Sequence, residues 1–169
     1  MNAGAIASRL GLSGIPAVAE VMMIERDLRL VEMTGGRWHA AHVSTAAGIE
    51  AVRRAKAAGL RVSCETTPHH LALNELEVEG YRTFAKVTPP LRGEADRRAV
   101  VEGLRDGTID AIASDHCPQD QDSKRIPFAQ AEPGVVGLQT MLPVALQLVH
   151  EGRIELLELL RTMTTAPAG

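Results

Sequence analysis

The sequence predicts an α/β fold built on a parallel sheet. Short apolar strands alternate with amphipathic helices, and three polar clusters fall at or just beyond the ends of the strands. Alternation of this kind signals right-handed strand–helix–strand crossovers. Polar clusters gathered at one end of the strands are where open α/β sheets and barrels carry their sites.

Each element follows from apolar periodicity. Ile15-Pro16 opens a helix whose apolar face runs through Val18, Val21, Met22, Ile24, Leu28 and Val31, and Gly35-Gly36 closes it. Trp38 to Ser44, with Ala40, Ala41 and Val43, reads as a buried strand. Ala46 to Ala58 is a second helix, with Ile49, Val52 and Ala55 on one face and Gly59 at its end. Leu60 to Thr66 is the second strand, Ala95 to Leu104 a third helix, and Ile109 to Ala113 a short apolar third strand. Two further helical patterns fill Leu138 to Met163, split near Gly152. Strands without polar alternation imply a sheet covered on both faces. Periodicity alone does not choose between a doubly wound sheet and part of a (β/α)8 barrel.

Composition narrows the function classes. Of 169 residues, 45% are hydrophobic but only 2% aromatic, so the core is aliphatic. A net charge of -3 with interspersed signs argues against a nucleic-acid surface. Cys64 and Cys117 sit in no zinc-finger or CxxC spacing and read as reduced thiols. No apolar run approaches membrane-spanning length and no leader pattern follows Met1, so a soluble, cytoplasmic protein is expected, with no membrane partner. The segment from Cys117 to Gly134 is long, polar and Pro-containing, with four charged residues between Asp120 and Arg125. That pattern predicts a mobile, lid-like loop.

The three polar clusters are the candidates for chemistry. His42-Val43-Ser44-Thr45 ends the first strand. Taken alone, His42 reads as a core histidine bonded to a carbonyl. Ser114-Asp115-His116-Cys117-Pro118 follows the third strand directly. A carboxylate there is costly unless it is paired or binds a metal, although an Asx-turn aspartate fits the same place. Thr66-Thr67-Pro68-His69-His70-Leu71 follows the second strand, and Lys86-Val87-Thr88-Pro89-Pro90-Leu91-Arg92 comes after it. Placed on a strand, His69 and His70 would point to opposite sides, so at most one faces a site. His39 and His150 read as surface or packing residues.

In order and approximate spacing, His-Val-Ser-Thr, Cys-Glu-Thr-Thr-Pro-His-His-Leu, Pro-Pro-Leu-Arg, Asp-Gly-Thr-Ile-Asp and Ser-Asp-His-Cys-Pro resemble the dihydroorotases of the amidohydrolase superfamily. Gly134-Val135-Val136-Gly137-Leu138 and the Thr164 to Gly169 segment extend the resemblance over essentially the whole chain. It implies a partial (β/α)8 metal-dependent hydrolase barrel, roughly strands 6 to 8 with their helices, over residues 1–169. It implies one or two Zn2+ ions, with His42 and Asp115 as ligands and Asp115 as the catalytic proton shuttle. The substrate would be a small cyclic amide, dihydroorotate, hydrolysed to N-carbamoyl-aspartate in pyrimidine synthesis.

Thr88 and Gln119 stand where the family has Asn and His substrate contacts, and Pro133-Gly134 would offer backbone groups to the substrate. Gln139 replaces a common Glu. The family's remaining zinc ligands and its closing β-sandwich would lie outside residues 1–169. The chain is therefore expected to be an incomplete piece, inactive alone, which associates as a homo-oligomer. The alternatives are a hydantoinase-like cyclic amidase, or a non-catalytic subunit assembling with aspartate carbamoyltransferase.

Overall fold

The computed structural model describes residues 1–168. Helix α1 (Ala5–Leu10) and the long α2 (Ala17–Thr34) precede strand β1 (Trp38–Ala40). Helix α3 (Ala46–Ala57), strand β2 (Val62–Thr66) and the short α4 (Pro68–Ala72) follow. Two 3-10 segments, Glu75–Tyr81 and Thr83–Ala85, lead to α5 (Glu94–Arg105) and strand β3 (Ala111–Ile112). The chain ends in α6 (Gln121–Lys124), α7 (Leu138–His150), α8 (Leu156–Met163) and α9 (Thr165–Ala168).

The three strands form one parallel sheet in the order β1-β2-β3. The sheet is open, so the fold is a partial (β/α)8-like arrangement rather than a closed barrel. Two strands are shorter than the apolar pattern predicts. β1 stops at Ala40, before the expected Ser44, because His42 takes a φ of 55, which no strand residue adopts. β3 likewise ends at Ile112, ahead of Asp115 with a φ of 43. The pairing continues past these ends: Val43 N–H donates to Glu65 O at 2.9 Å and Ala113 N–H to Thr66 O at 2.9 Å.

The expectation that both faces of the sheet are covered is corrected. Register places Ala40 beside Cys64 and Thr66 beside Ile112, and all four are buried on the side taken by the helices. That side holds the main core, with Ile24 and Leu28 of α2, Ile49 and Val52 of α3, Val100 and Leu104 of α5, Ala145 and Leu148 of α7 and Leu159 of α8. The other face pairs His39 with Ser63 and carries Glu65 beside Ala111. His39 is exposed and Ser63 and Glu65 are half-buried. β2 reads Val-Ser-Cys-Glu-Thr, a polar alternation that signals one open face.

A second apolar cluster (Met1, Ala7, Val78, Ala85, Val87, Leu91, Phe128) packs α1 and the 3-10 segments under the long loop. Phe128, Ala131 and Lys124 are buried, and Lys124 Nζ donates to Thr83 O at 3.1 Å and Glu132 O at 2.7 Å. The segment predicted to be a mobile, lid-like loop therefore has three anchors and a helical turn. No helix among the described residues is long and apolar enough to cross a membrane.

Candidate functional site

The site forms at the C-terminal end of the sheet, where His42 and Asp115 leave the two outer strands. Strands flanking a common neighbour lie about 9.6 Å apart, too far for short side chains projecting from regular strands to meet. The positive φ at both residues turns each side chain over the end of β2. His42 Nε2 comes to 3.7 Å from Asp115 Oδ1. Only Tyr81 shares this conformation among the described non-glycine residues. A left-handed conformation costs roughly 1–2 kcal/mol at a residue with a Cβ, so the surrounding structure must hold it.

The hold on the His42 turn is a partly buried carboxylate. Glu20 of α2 accepts from Ser44 N at 3.0 Å, Thr45 N at 3.0 Å, Thr45 Oγ1 at 2.8 Å and also Ser44 Oγ. Arg92 lies behind it, buried, with Nη2 3.5 Å from Glu20 and Nε donating to Ser44 Oγ at 3.1 Å. Arg92 Nη1 also donates to Asn2 Oδ1 and to Ile15 O. Thr45 then caps α3 by accepting from Gly48 N.

Asp115 is held from the other side by the segment that follows the long loop. His116 and Val135 form a parallel bridge, and His116 Nδ1 accepts from Gly137 N at 3.0 Å and Leu138 N at 3.1 Å at the start of α7. His116 therefore turns away from Asp115 and its lone pair caps a helix. The approach is so close that a Cβ on Gly137 would sit 1.9 Å from Ser114 O, and one on Gly134 2.2 Å from Cys117 O. Both positions require glycine.

Imidazoles and carboxylates alternate across the open face. His39 Nε2 lies 3.5 Å from Glu65 Oε2, and Glu65 Oε1 lies 3.2 Å from His42 Nδ1. Asp115 Oδ2 lies 3.6 Å from His69 Nε2. The Glu65–His42 contact is off the hydrogen-bonding direction, leaving His42 Nδ1 without a partner of good geometry. The Glu65 carboxylate, and after it the charge of Asp115, still raise the His42 pKa against the opposing effect of burial. His42 in turn holds the Glu65 carboxyl below its ordinary range. Burial, with smaller effects from His70 and His42, pushes His69 down to about 3, so its ring is neutral.

The histidine pair sits differently from its expected place. Both lie on the turn of α4, which Thr67 caps and Pro68 opens, rather than on a strand, so the alternation argument does not apply. Their rings stay close, with centroids 4.6 Å apart and planes tilted by 49°, but their partners differ. His69 faces Asp115, whereas His70 contacts Thr67 Oγ1 at 2.8 Å and Pro89 O at 3.1 Å. Burial pushes His70 down to about 4.

Thr88 is exposed, next to the Pro89 that His70 holds. Gly134 N–H is already donated to Lys86 O at 2.8 Å, and Pro133 has no N–H, so carbonyl oxygens are what this pair can offer a ligand. Gln119 Nε2 lies 3.2 Å from Cys117 Sγ. A cleft of about 280 Å³ runs between His42, Ala41, His39, Pro89 and Met23. A hollow of about 410 Å³ between Arg105, Ile109, Arg153 and Glu158 lies at the opposite end of β3, away from the polar strand ends.

His42 Nε2 and Asp115 Oδ1, 3.7 Å apart, fall within the span of two donors on one zinc ion at about 2.0–2.1 Å each. No group of three or more His, Cys, Asp or Glu side chains among the described residues is arranged to hold a metal ion. The pair fits two corners of a zinc site and does not complete one. Two residues at this end went unassigned in the sequence. Glu65 lies inside the Cys-Glu-Thr-Thr stretch, where the polar alternation of β2 could have pointed to it. Glu20 carries no local signal, because its partners are 24 and 25 residues away.

The open parallel sheet, with polar groups at its C-terminal end, is the arrangement of part of a (β/α)8-like barrel. No family model matches the chain. Over 99% of its length, however, it is 49% identical to the dihydroorotase of Syntrophotalea carbinolica and 52% identical to that of an Anaeromyxobacter species (strain K). It spans 40% and 39% of those two proteins. Among solved structures, the L-hydantoinase (dihydropyrimidinase) of Arthrobacter aurescens matches 88% of the chain with a TM-score of 0.82 and 33% identity, and the chain covers 34% of it. The D-hydantoinase of a Bacillus species (AR9) matches 90% with a TM-score of 0.85 and 25% identity, the chain covering 35% of it. This amidohydrolase and hydantoinase homology, with the incomplete parallel sheet, supports a partial cyclic-amidase barrel.

Proposed function

We propose that this chain supplies the His42–Asp115 corner of a zinc-dependent cyclic-amide hydrolase that interconverts dihydroorotate and N-carbamoyl-aspartate. The observation that carries the reading is the meeting of His42 Nε2 and Asp115 Oδ1 at 3.7 Å, each on a strained strand end. Zinc, when bound, supplies activation of water and polarisation of the ring carbonyl. His42 is the neutral-nitrogen ligand, with the Glu65 carboxylate 3.2 Å away on its Nδ1 side. Asp115 takes the proton of the attacking water and returns it to the leaving ring nitrogen, general base and then general acid. Thr88, Gln119 and the Pro133–Gly134 carbonyls orient the ring. Two protein ligands fall short of the three that a catalytic zinc site uses, so residues 1–169 alone are inactive.

A hydantoinase-like specificity is the second reading. The Thr88 and Gln119 side chains offer neutral contacts to a substrate carboxylate, and an L-hydantoinase and a D-hydantoinase are among the solved structures it matches. The test is a zinc-supplemented substrate panel (dihydroorotate, hydantoin, dihydrouracil). The enzyme is the Anaeromyxobacter dihydroorotase with its matched segment exchanged for residues 1–169, and the isolated chain is run beside it. Turnover of dihydroorotate above the other rings by the exchanged enzyme, with none by the isolated chain, is expected. A preference for hydantoin selects the second reading. A folded, zinc-loaded protein without turnover on any ring points instead to a non-catalytic subunit, of the kind that would assemble with aspartate carbamoyltransferase.

A further inference from the structure

His69 is the one side chain among the described residues with two buried ring nitrogens that lack hydrogen-bond partners. Its side chain is 6% exposed, on a helical turn fixed by Thr67 and Pro68. Buried polar atoms are almost always paired, and an unmade bond there is costly, so these two nitrogens call for an explanation. The group that His69 Nε2 faces is Asp115 Oδ2, at 3.6 Å. The other oxygen of the same carboxylate, Oδ1, is the one turned to His42.

We infer that His69 is a positioning residue for Asp115, its Nε2–H directed at Oδ2 so that Oδ1 alone is presented to the reacting groups. The inference rests on the reading of Asp115 as the proton-transferring carboxylate. A carboxylate at a strand end rotates about its terminal torsion, which has broad preferences, and exchanges the roles of its two oxygens when it does. An imidazole donor on one side removes that freedom. His70 does not share the role, since its ring nitrogens are engaged by Thr67 Oγ1 and Pro89 O. His116 does not either, because its Nδ1 caps α7. The separation of 3.6 Å exceeds a hydrogen bond. A small rotation of the Asp115 carboxylate about its terminal torsion closes that gap.

The test is long-range 1H–15N correlation spectroscopy of the histidine-labelled 169-residue chain, with His69→Phe assigning the His69 signals. The expected result is a His69 ring protonated at Nε2, with an Hε2 proton that exchanges with solvent about tenfold or more faster in Asp115→Ala. Asp115→Asn, which keeps an acceptor oxygen, restores part of that protection. An Nδ1-protonated ring overturns the inference, as does Hε2 exchange indifferent to both substitutions in variants with native-like backbone spectra. The measurement uses neither zinc nor turnover, so its failure would leave the hydrolase reading standing. Failure of the substrate panel would likewise leave the His69–Asp115 contact intact.

Discussion

Glu20→Ala should be among the costliest single substitutions in the protein, because one carboxylate holds the turn that carries His42. Glu20 accepts two backbone N–H groups and two hydroxyls from Ser44 and Thr45, and faces Arg92, whose side chain is 2% exposed. Bonds to a charged acceptor contribute about 1.5–3 kcal/mol each. Removing one member of a buried ion pair costs about 3–5 kcal/mol, because the other charge is stranded. Against a domain stability of about 5–15 kcal/mol, the loss is a large fraction. With a urea m-value of ~2 kcal/mol/M, the midpoint should fall by about 2 M. Glu20→Gln keeps one acceptor oxygen and should cost less, about 1–3 kcal/mol. Urea unfolding followed by far-UV circular dichroism makes the comparison. A midpoint shift below ~0.5 M for Glu20→Ala would refute the assignment of Glu20 and Arg92 as the hold on the His42 turn.

Acid should destabilise the chain through His69 and His70. Their folded values of about 3 and 4 lie below the ordinary 6.5, so the unfolded state binds the extra protons and stability falls as pH drops from 6.5 towards 3. The slope reaches at most about 2.7 kcal/mol per pH unit for the two protons together, and unfolding free energies measured across pH should show it roughly halved in His70→Gln. His42 contributes with the opposite sign: its raised pKa gives stabilisation present below 6.5 and lost as pH rises through the folded value. Lys124→Met should release the 117–134 segment, since it removes the donor to Thr83 O and Glu132 O. Amide exchange should then speed up there and leave α3 and α5 unchanged; uniform protection would mean that Phe128 and Ala131 suffice. The open sheet, with β1 and β3 each unpaired on one edge, should drive self-association. Light scattering should show at least a dimer, whereas a monomer at every concentration would contradict that expectation.

The strands and main helices were legible because burial writes itself into local periodicity. Ile49, Val52 and Ala55 mark one face of α3, and Ala111-Ile112 sit within an apolar run. The strand ends were less legible, since nothing local announces the positive φ of His42 or Asp115. His42 and Asp115 were named through a resemblance, and their approach to 3.7 Å depends on long-range geometry. The requirement for glycine at 134 and 137 has the same origin, arising from Cys117 and Ser114 in a different segment. His69 was hidden by placement. Read as strand it was one of an alternating pair, and on the α4 turn it became the neighbour of Asp115.

The central claim is that His42 and Asp115 act together in hydrolysis of a cyclic amide. Its most direct test is zinc-dependent dihydroorotate turnover by the Anaeromyxobacter enzyme carrying residues 1–169 in place of its matched segment, in wild-type, His42→Ala and Asp115→Ala forms. Turnover is expected in the first, with a loss of at least about a hundredfold in each of the others, the scale of a lost acid–base group. Turnover that survives Asp115→Ala in a folded, zinc-loaded protein would contradict the claim.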